Sequence, residues 1–312
     1  MNIRPLKMLW LVVLLLQTPT LFAQTLVLDE TYQQFQGKPI SLKQPLGHKP
    51  IYLKLWATWC LDCRKQMPDL QAVYTKYKDA INIYAVNLNI NETQETLQAI
   101  KDKYQLTVPI VLDNNGTIAS NFNFVGTPFH VLINAEGKVV YTSYHADADL
   151  HLKLDQLAHA TLVSAAKVEG VKEGNNKRAA PDLPVGFAVR YFSASWCGWY
   201  FADIEPAMAQ NCVRGDALAS ALFKQSSSAK INWASYATYL WAEPKDVGKY
   251  KKKQALPYAI IYDSANTFAQ SYKVSQYPTL IVFKNGKEIR RLTQFEEPEA
   301  LQKTLASLLQ LK

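Results

Sequence analysis

A chain of 312 residues, 48% hydrophobic and 19% charged, has the composition of a soluble globular protein and is long enough for two domains with separate cores. Its net charge of +8 is a modest basic excess that gives no reason to expect a nucleic-acid partner. The first 23 residues stand apart: Arg4 and Lys7 precede the apolar run Met8 to Leu16, and Leu21, Phe22 and Ala23 offer a small residue for cleavage. This is the pattern of a secretory signal peptide over residues 1–23, the apolar run being short and followed by Gln17 and Pro19. An uncleaved N-terminal membrane anchor is the alternative. Export places the chain where disulfides form and persist, by expectation the periplasm of a Gram-negative bacterium.

In chain order, the apolar runs Ile51 to Ala57, Ile81 to Leu88, Pro109 to Leu112, Phe129 to Asn134 and Val139 to Tyr144 predict strands. Helices are predicted after Cys60 and from about Glu92 to Tyr104, where Leu97, Ile100 and Tyr104 share a face. Residues 167–184 lack an apolar rhythm and carry Gly, Asn, Lys and Pro, which predicts a linker over 166–184. The order then recurs: strands at Ala188 to Ala194, Ile231 to Tyr239, Ala259 to Asp263, Thr279 to Phe283 and Glu288 to Leu292, a helix after Cys197 and a last one from Pro298 to Leu311. Glycine turns at Asn134 to Lys138 and Lys284 to Lys287 join strands at matching places. The pattern predicts an α/β protein of two domains built on one plan, 25–165 and 185–312. The lysine cluster at 249 and 251–253 reads as a solvated loop or helix face rather than an anionic partner site.

Cys60 and Cys63, in TWCLDC, are separated by two residues, a spacing that serves half a zinc site, a structural disulfide or a redox couple. No second pair completes a zinc site, and the spacing of His145, His151 and His159 fits no familiar ligand pattern, so no metal is assigned. The redox reading has a positive physical case. A buried strand delivers Cys60 to the start of a helix, where free backbone N–H groups favour a thiolate, and Cys63 one turn on is placed to resolve the mixed disulfide that Cys60 forms.

Leu55 to Pro68 (LWATWCLDCRKQMP) and Val125 to Val140 (VGTPFHVLINAEGKVV) resemble the thioredoxin superfamily, and within it the TlpA-like exported thiol-disulfide oxidoreductases. The resemblance implies two tandem thioredoxin-like domains, each a central mixed β-sheet flanked by helices. It implies that Pro128 is a cis-proline packed against the cysteines, that Trp59, Thr127 and Pro128 contact substrate, and that the backbone of Thr127 holds an extended substrate segment beside Cys60. Asp62 departs from the proline many relatives carry there. A carboxylate so placed disfavours the Cys60 thiolate, which predicts a reductant, unless solvent silences it.

In the second half FSASWC, residues 192–197, and QYPTLIVFKNGK, residues 276–287, continue the resemblance, with Pro278 at the cis-proline position and Tyr277 before it. Tyr200 stands where the first half has its resolving cysteine. Cys212 is 15 residues from Cys197, about 22 Å along one helix, too far for a disulfide unless the chain turns back. This domain is therefore expected to lack a resolving cysteine and to bind or position substrate through Trp196, Cys197, Tyr277 and Pro278. A monothiol relay and a buried relic are the alternatives for Cys197.

The expected function is an exported protein disulfide reductase working through Cys60 and Cys63. Its expected partners are disulfide-bearing exported proteins and a membrane thiol relay as electron donor, with no organic cofactor. A copper-binding thiol protein and a redox-linked chaperone are the competing readings.

Overall fold

The computed structural model of the protein describes residues 31–42, 49–114, 116–122, 124–159, 183–226 and 231–311. The predicted leader 1–23 and nearly all of the predicted linker lie outside them.

The first half runs β1 (Thr31–Gln34), β2 (Ile40–Ser41), β3 (Ile51–Trp56), α1 (Leu61–Lys65), α2 (Met67–Tyr77), β4 (Asn82–Asn87), α3 (Gln94–Lys103), β5 (Ile110–Leu112), α4 (Thr117–Ser120), β6 (Phe129–Ile133), β7 (Val139–Ser143) and α5 (Ala148–Ala158). The second runs β8 (Phe187–Ser193), α6 (Cys197–Tyr200), α7 (Pro206–Ser226), β9 (Asn232–Thr238), α8 (Pro244–Lys253), β10 (Ile260–Asp263), α9 (Thr267–Ser271), β11 (Thr279–Lys284), β12 (Lys287–Leu292) and α10 (Pro298–Leu308). Local chemistry sets many of the boundaries. Thr93 and Thr96 form a reciprocal capping box at α3, Asp147 caps α5 by accepting from Leu150 N, and Pro244 and Pro298 open α8 and α10.

The strands form two mixed sheets, in the orders β2-β1-β5-β4-β3-β6-β7 and β10-β9-β8-β11-β12. In the first, β3, β4 and β5 are parallel while β6 and β7 return antiparallel; β8, β9 and β10 with β11 and β12 repeat that order and those directions. Parallel neighbours need helical crossovers, which is why each sheet is flanked by helices. Strand β3 is buried along its whole length, so it carries the run Leu53, Leu55 and Trp56 through the middle of the core.

Two elements depart from the expectations. The single helix expected after Cys197 is two, α6 and α7, separated by a bend over residues 201–205. The stretch holding His151 forms α5, whose Leu150, Leu154 and Leu157 are buried. The lysine cluster is the solvated helix face expected of it, lying on α8 with Lys251, Lys252 and Lys253 exposed in its last turn, where positive charge suits the helix dipole. Among the described residues no helix is long and apolar enough to cross a membrane.

Candidate active site

Strand β3 ends at Trp56, and the turn that follows delivers Cys60 to the N-cap of α1. Cys60 and Cys63 are disulfide-bonded, with Cα atoms 5.2 Å apart, and the backbone N–H of Cys63 donates to Cys60 Sγ at 3.1 Å. Once the couple is reduced, that donor favours the Cys60 thiolate. The approach turn is pinned by Glu92, which accepts from Thr58 N at 2.6 Å, Thr58 Oγ1 at 2.5 Å and Asn87 Nδ2 at 2.9 Å. Burial pushes the Glu92 carboxyl up, and these hydrogen bonds hold it down in part. Arg64 Nε donates to Thr58 O from the other side.

Beneath the couple runs a buried polar chain. Lys54 Nζ donates to Gln66 Oε1 at 2.5 Å, and His130 bridges Gln66 Oε1, through Nε2 at 3.1 Å, to the Tyr52 hydroxyl, through Nδ1 at 2.7 Å. Gln66 Oε1 can only accept, so His130 Nε2 carries the proton and Nδ1 accepts from Tyr52. Burial drives His130 well below its ordinary value, with Lys54 adding to the effect, and the same burial lowers Lys54 to about 7 against a small opposing pull from Asp69. Gln66 N in turn donates to Cys63 O at 3.1 Å, which ties the chain to the couple.

The bonds Thr127-Pro128 and Tyr277-Pro278 are both cis. The surface in front of each is filled by the other half of the molecule. Trp241 N donates to Val125 O at 2.6 Å, and its Nε1 lies 3.4 Å from Thr127 O. In the reciprocal contact Asn91 N donates to Ser275 O at 2.9 Å, while the Asn91 side chain donates to Tyr277 O at 3.0 Å and accepts from Tyr277 N at 2.7 Å. The two motif tryptophans complete the pairing. Trp59 and Trp196 stack at 5.3 Å, and each anchors its own indole N–H on a carbonyl of its own half, Ile90 and Leu240. Trp241, Tyr200 and Phe201 pack edge-on around Trp59.

Sequence reasoning placed Trp59, Cys60, Cys63, Thr127 and Pro128 in one site and Trp196, Cys197, Tyr277 and Pro278 in another. The structure sets the two face to face. As a result Cys60 is only 4% exposed, and Cys197 only 1%. The Asp62 carboxylate points into solvent and pairs with Lys65 at 2.8 Å. The expectation that the second half lacks a partner thiol is overturned: Cys197 and Cys212 are bonded, with Cα atoms 6.0 Å apart. The distance estimate failed because the bend over 201–205 folds α7 back across α6, so the 15 residues do not lie along one axis. Among the described residues no group of three or more His, Cys, Asp or Glu side chains is placed to hold a metal ion.

Lys54, Gln66, His130, Glu92, Asn91 and Trp241 were missed. Only Lys54 carried a signal, a lone charge inside the apolar run IYLKLW; the others are brought in by tertiary contacts.

A strand that feeds a disulfide-bonded CxxC into a helix beside a cis-proline, on a mixed sheet flanked by helices, defines a protein of the thioredoxin fold. The chain belongs to the AhpC/TSA family of thioredoxin-like proteins, whose model matches residues 23–142. It is 30% identical over 130 residues to the thioredoxin-like protein YneN of Bacillus subtilis, covering 41% of this chain and 75% of that protein. It is 33% identical over 105 residues to the thiol-disulfide oxidoreductase ResA of Bacillus thuringiensis subsp. konkukian, a match over 34% of this chain that spans 60% of the relative's length. The crystal structure of StoA from Bacillus subtilis aligns over 42% of this chain and 95% of its own at 26% identity, with a TM-score of 0.35.

Proposed function

We propose that the protein is a thiol-disulfide oxidoreductase that reduces disulfides in other exported proteins through Cys60 and Cys63. The observation that carries the reading is the pairing of Cys60 with Cys63 at the N-cap of α1, with the Cys63 N–H aimed at Cys60 Sγ. In the reduced protein the Cys60 thiolate attacks a client disulfide, one client sulfur leaves with the electron pair and takes up a proton, and Cys63 then attacks Cys60. The client leaves as a dithiol and the Cys60–Cys63 disulfide re-forms. A membrane-bound dithiol relay resets it, and no organic cofactor takes part.

The second domain, 185–312, covers this site through Trp241 and Tyr200 and so controls which client segment reaches Cys60. An extended client must displace Trp241 from the Val125 and Thr127 carbonyls before its own backbone can pair there. The signal-peptide pattern of residues 1–23 supports the exported compartment and lies outside the described residues. Insulin reduction driven by dithiothreitol tests the core of this reading. Cys60→Ser and Cys63→Ser are expected to abolish it, and turnover surviving in Cys60→Ser would overturn it.

A further inference from the structure

The second half contains the parts of a thiol-exchange centre of its own. Cys212 sits in α7, and Asp216 lies four residues further along, on the same face of the helix. The Asp216 carboxylate is buried and accepts from Tyr191 OH at 2.7 Å and Tyr250 OH at 2.5 Å. Between the two, Gly215 lies so close to Pro278 that a Cβ there would come within 2.7 Å of the proline ring, and the Cys197 sulfur lies 3.8 Å from Tyr277 O. A cavity of about 480 Å³ borders this arrangement, lined by Trp196 and Gly198 on either side of Cys197, by Val213 next to Cys212, and by Asp216, Tyr250 and Trp241. Trp199 is 64% exposed, so the cavity reaches solvent beside it.

We propose that Cys197–Cys212 is a second redox-active couple, which exchanges with small dithiols entering through this cavity and uses Asp216 to move the proton at Cys212. A thiolate of the incoming dithiol attacks the Cys197 sulfur; the bond to Cys212 breaks, and Cys212 leaves with the electron pair and takes the Asp216 proton. The second thiolate of the dithiol then attacks the sulfur bound to Cys197. This releases Cys197, which is protonated from solvent, and the dithiol departs as its cyclic disulfide. Two electrons have entered the protein. Asp216 recovers its proton from water in the cavity that it lines.

Burial raises the Asp216 carboxyl to about 6, against the pull of the Tyr250 and Tyr191 hydrogen bonds, so it holds a transferable proton in mildly acidic solution. The groups facing it are Tyr191 from β8, Tyr250 from α8 and Tyr258 beyond α8, all of which burial keeps protonated. Asp246, Lys249 and Lys253 line the same cavity. A purely structural disulfide in this position would resist mild reductant in the folded protein.

The test uses the full chain carrying Cys60→Ser and Cys63→Ser, so that only the second couple responds. Folded protein is treated with dithiothreitol across pH 5 to 8, alkylated and weighed, with circular dichroism recording the fold. Cys197 and Cys212 are expected to open together in the native state, with a rate per dithiothreitol thiolate that falls about tenfold as pH rises through 6. Asp216→Asn is expected to flatten that profile to its high-pH level; if this variant does not fold, the profile of the parent decides. A disulfide that opens only in urea, or a parent profile without the fall near pH 6, or one that Asp216→Asn leaves unchanged, overturns the proposal.

Discussion

Lys54 is a lysine buried in the core strand β3, and its effect on stability has a calculable pH dependence. The unfolded chain keeps the lysine protonated up to its ordinary 10.5, whereas burial in β3 lowers it to about 7. Between those values the unfolded state binds one proton that the folded state does not, so this residue makes stability rise with pH and fall as pH drops towards 7. With about 1.36 kcal/mol for each pH unit between the two values, and allowing for half-protonation of the folded state at pH 7, the cost falls by about 2 kcal/mol from pH 7 to pH 9. Lys54→Met keeps the length of the side chain and removes the titration. Urea unfolding with both disulfides intact is expected to show the variant gaining over the parent at pH 7 by about 2 kcal/mol more than at pH 9. Any constant offset from the lost Gln66 hydrogen bond cancels in that comparison. A difference between the two proteins that stays flat from pH 7 to pH 9 would refute the claim that Lys54 is neutral in the fold.

Trp241→Ala removes the indole that covers Thr127, and with large aromatic truncations costing about 3–5 kcal/mol, alkylation of Cys60 in the reduced protein is expected to rise at least about tenfold. An unchanged rate would show that Trp241 does not shield the thiol. Gly126→Ala is expected to act in the same direction, because a Cβ at Gly126 would fall on the Trp241 indole, and a crystal structure with Trp241 undisturbed would contradict this. Asn91→Ala leaves the Tyr277 N–H and carbonyl without partners, and thermal unfolding is expected to show a loss of about 1–3 kcal/mol; a loss under half that would place water in the gap. Asp62→Asn is expected to move the alkylation midpoint of Cys60 down by less than about half a pH unit, since Lys65 neutralises the carboxylate in solvent. A fall of a full unit would restore Asp62 as the main control of the thiol.

Much of the sheet was legible because buried strands announce themselves. Ile51 to Trp56 is apolar but for Lys54, and Leu280 to Phe283 is apolar throughout, patterns without the alternation of a surface strand. The short β1 and β2 were not seen, since four and two residues at a sheet edge carry too little pattern to separate from loop. In the site, the CxxC of WCLDC could be read from its spacing at a strand-to-helix turn, whereas the two X-Pro pairs entered through the resemblance of their flanking motifs to the thioredoxin superfamily. The buried chain of Lys54, Gln66, His130 and Tyr52 could not, because its members come from three separate elements and meet only once β3, β6 and the α1–α2 junction are packed.

By itself the sequence determined the core strands of each half, the position of Cys60 and Cys63 at a strand-to-helix turn, and the recurrence of that turn around Cys197. These follow from local patterns of burial and chain reversal, which a linear reading can register. Tertiary structure decided the rest. It turned α7 back so that Cys212 meets Cys197, and it laid Trp59 on Trp196 so that each half fills the surface beside the other's cis-proline. Both outcomes depend on the relative placement of elements that local spacing leaves free: a five-residue bend in one case, and the docking of two preformed sheets in the other.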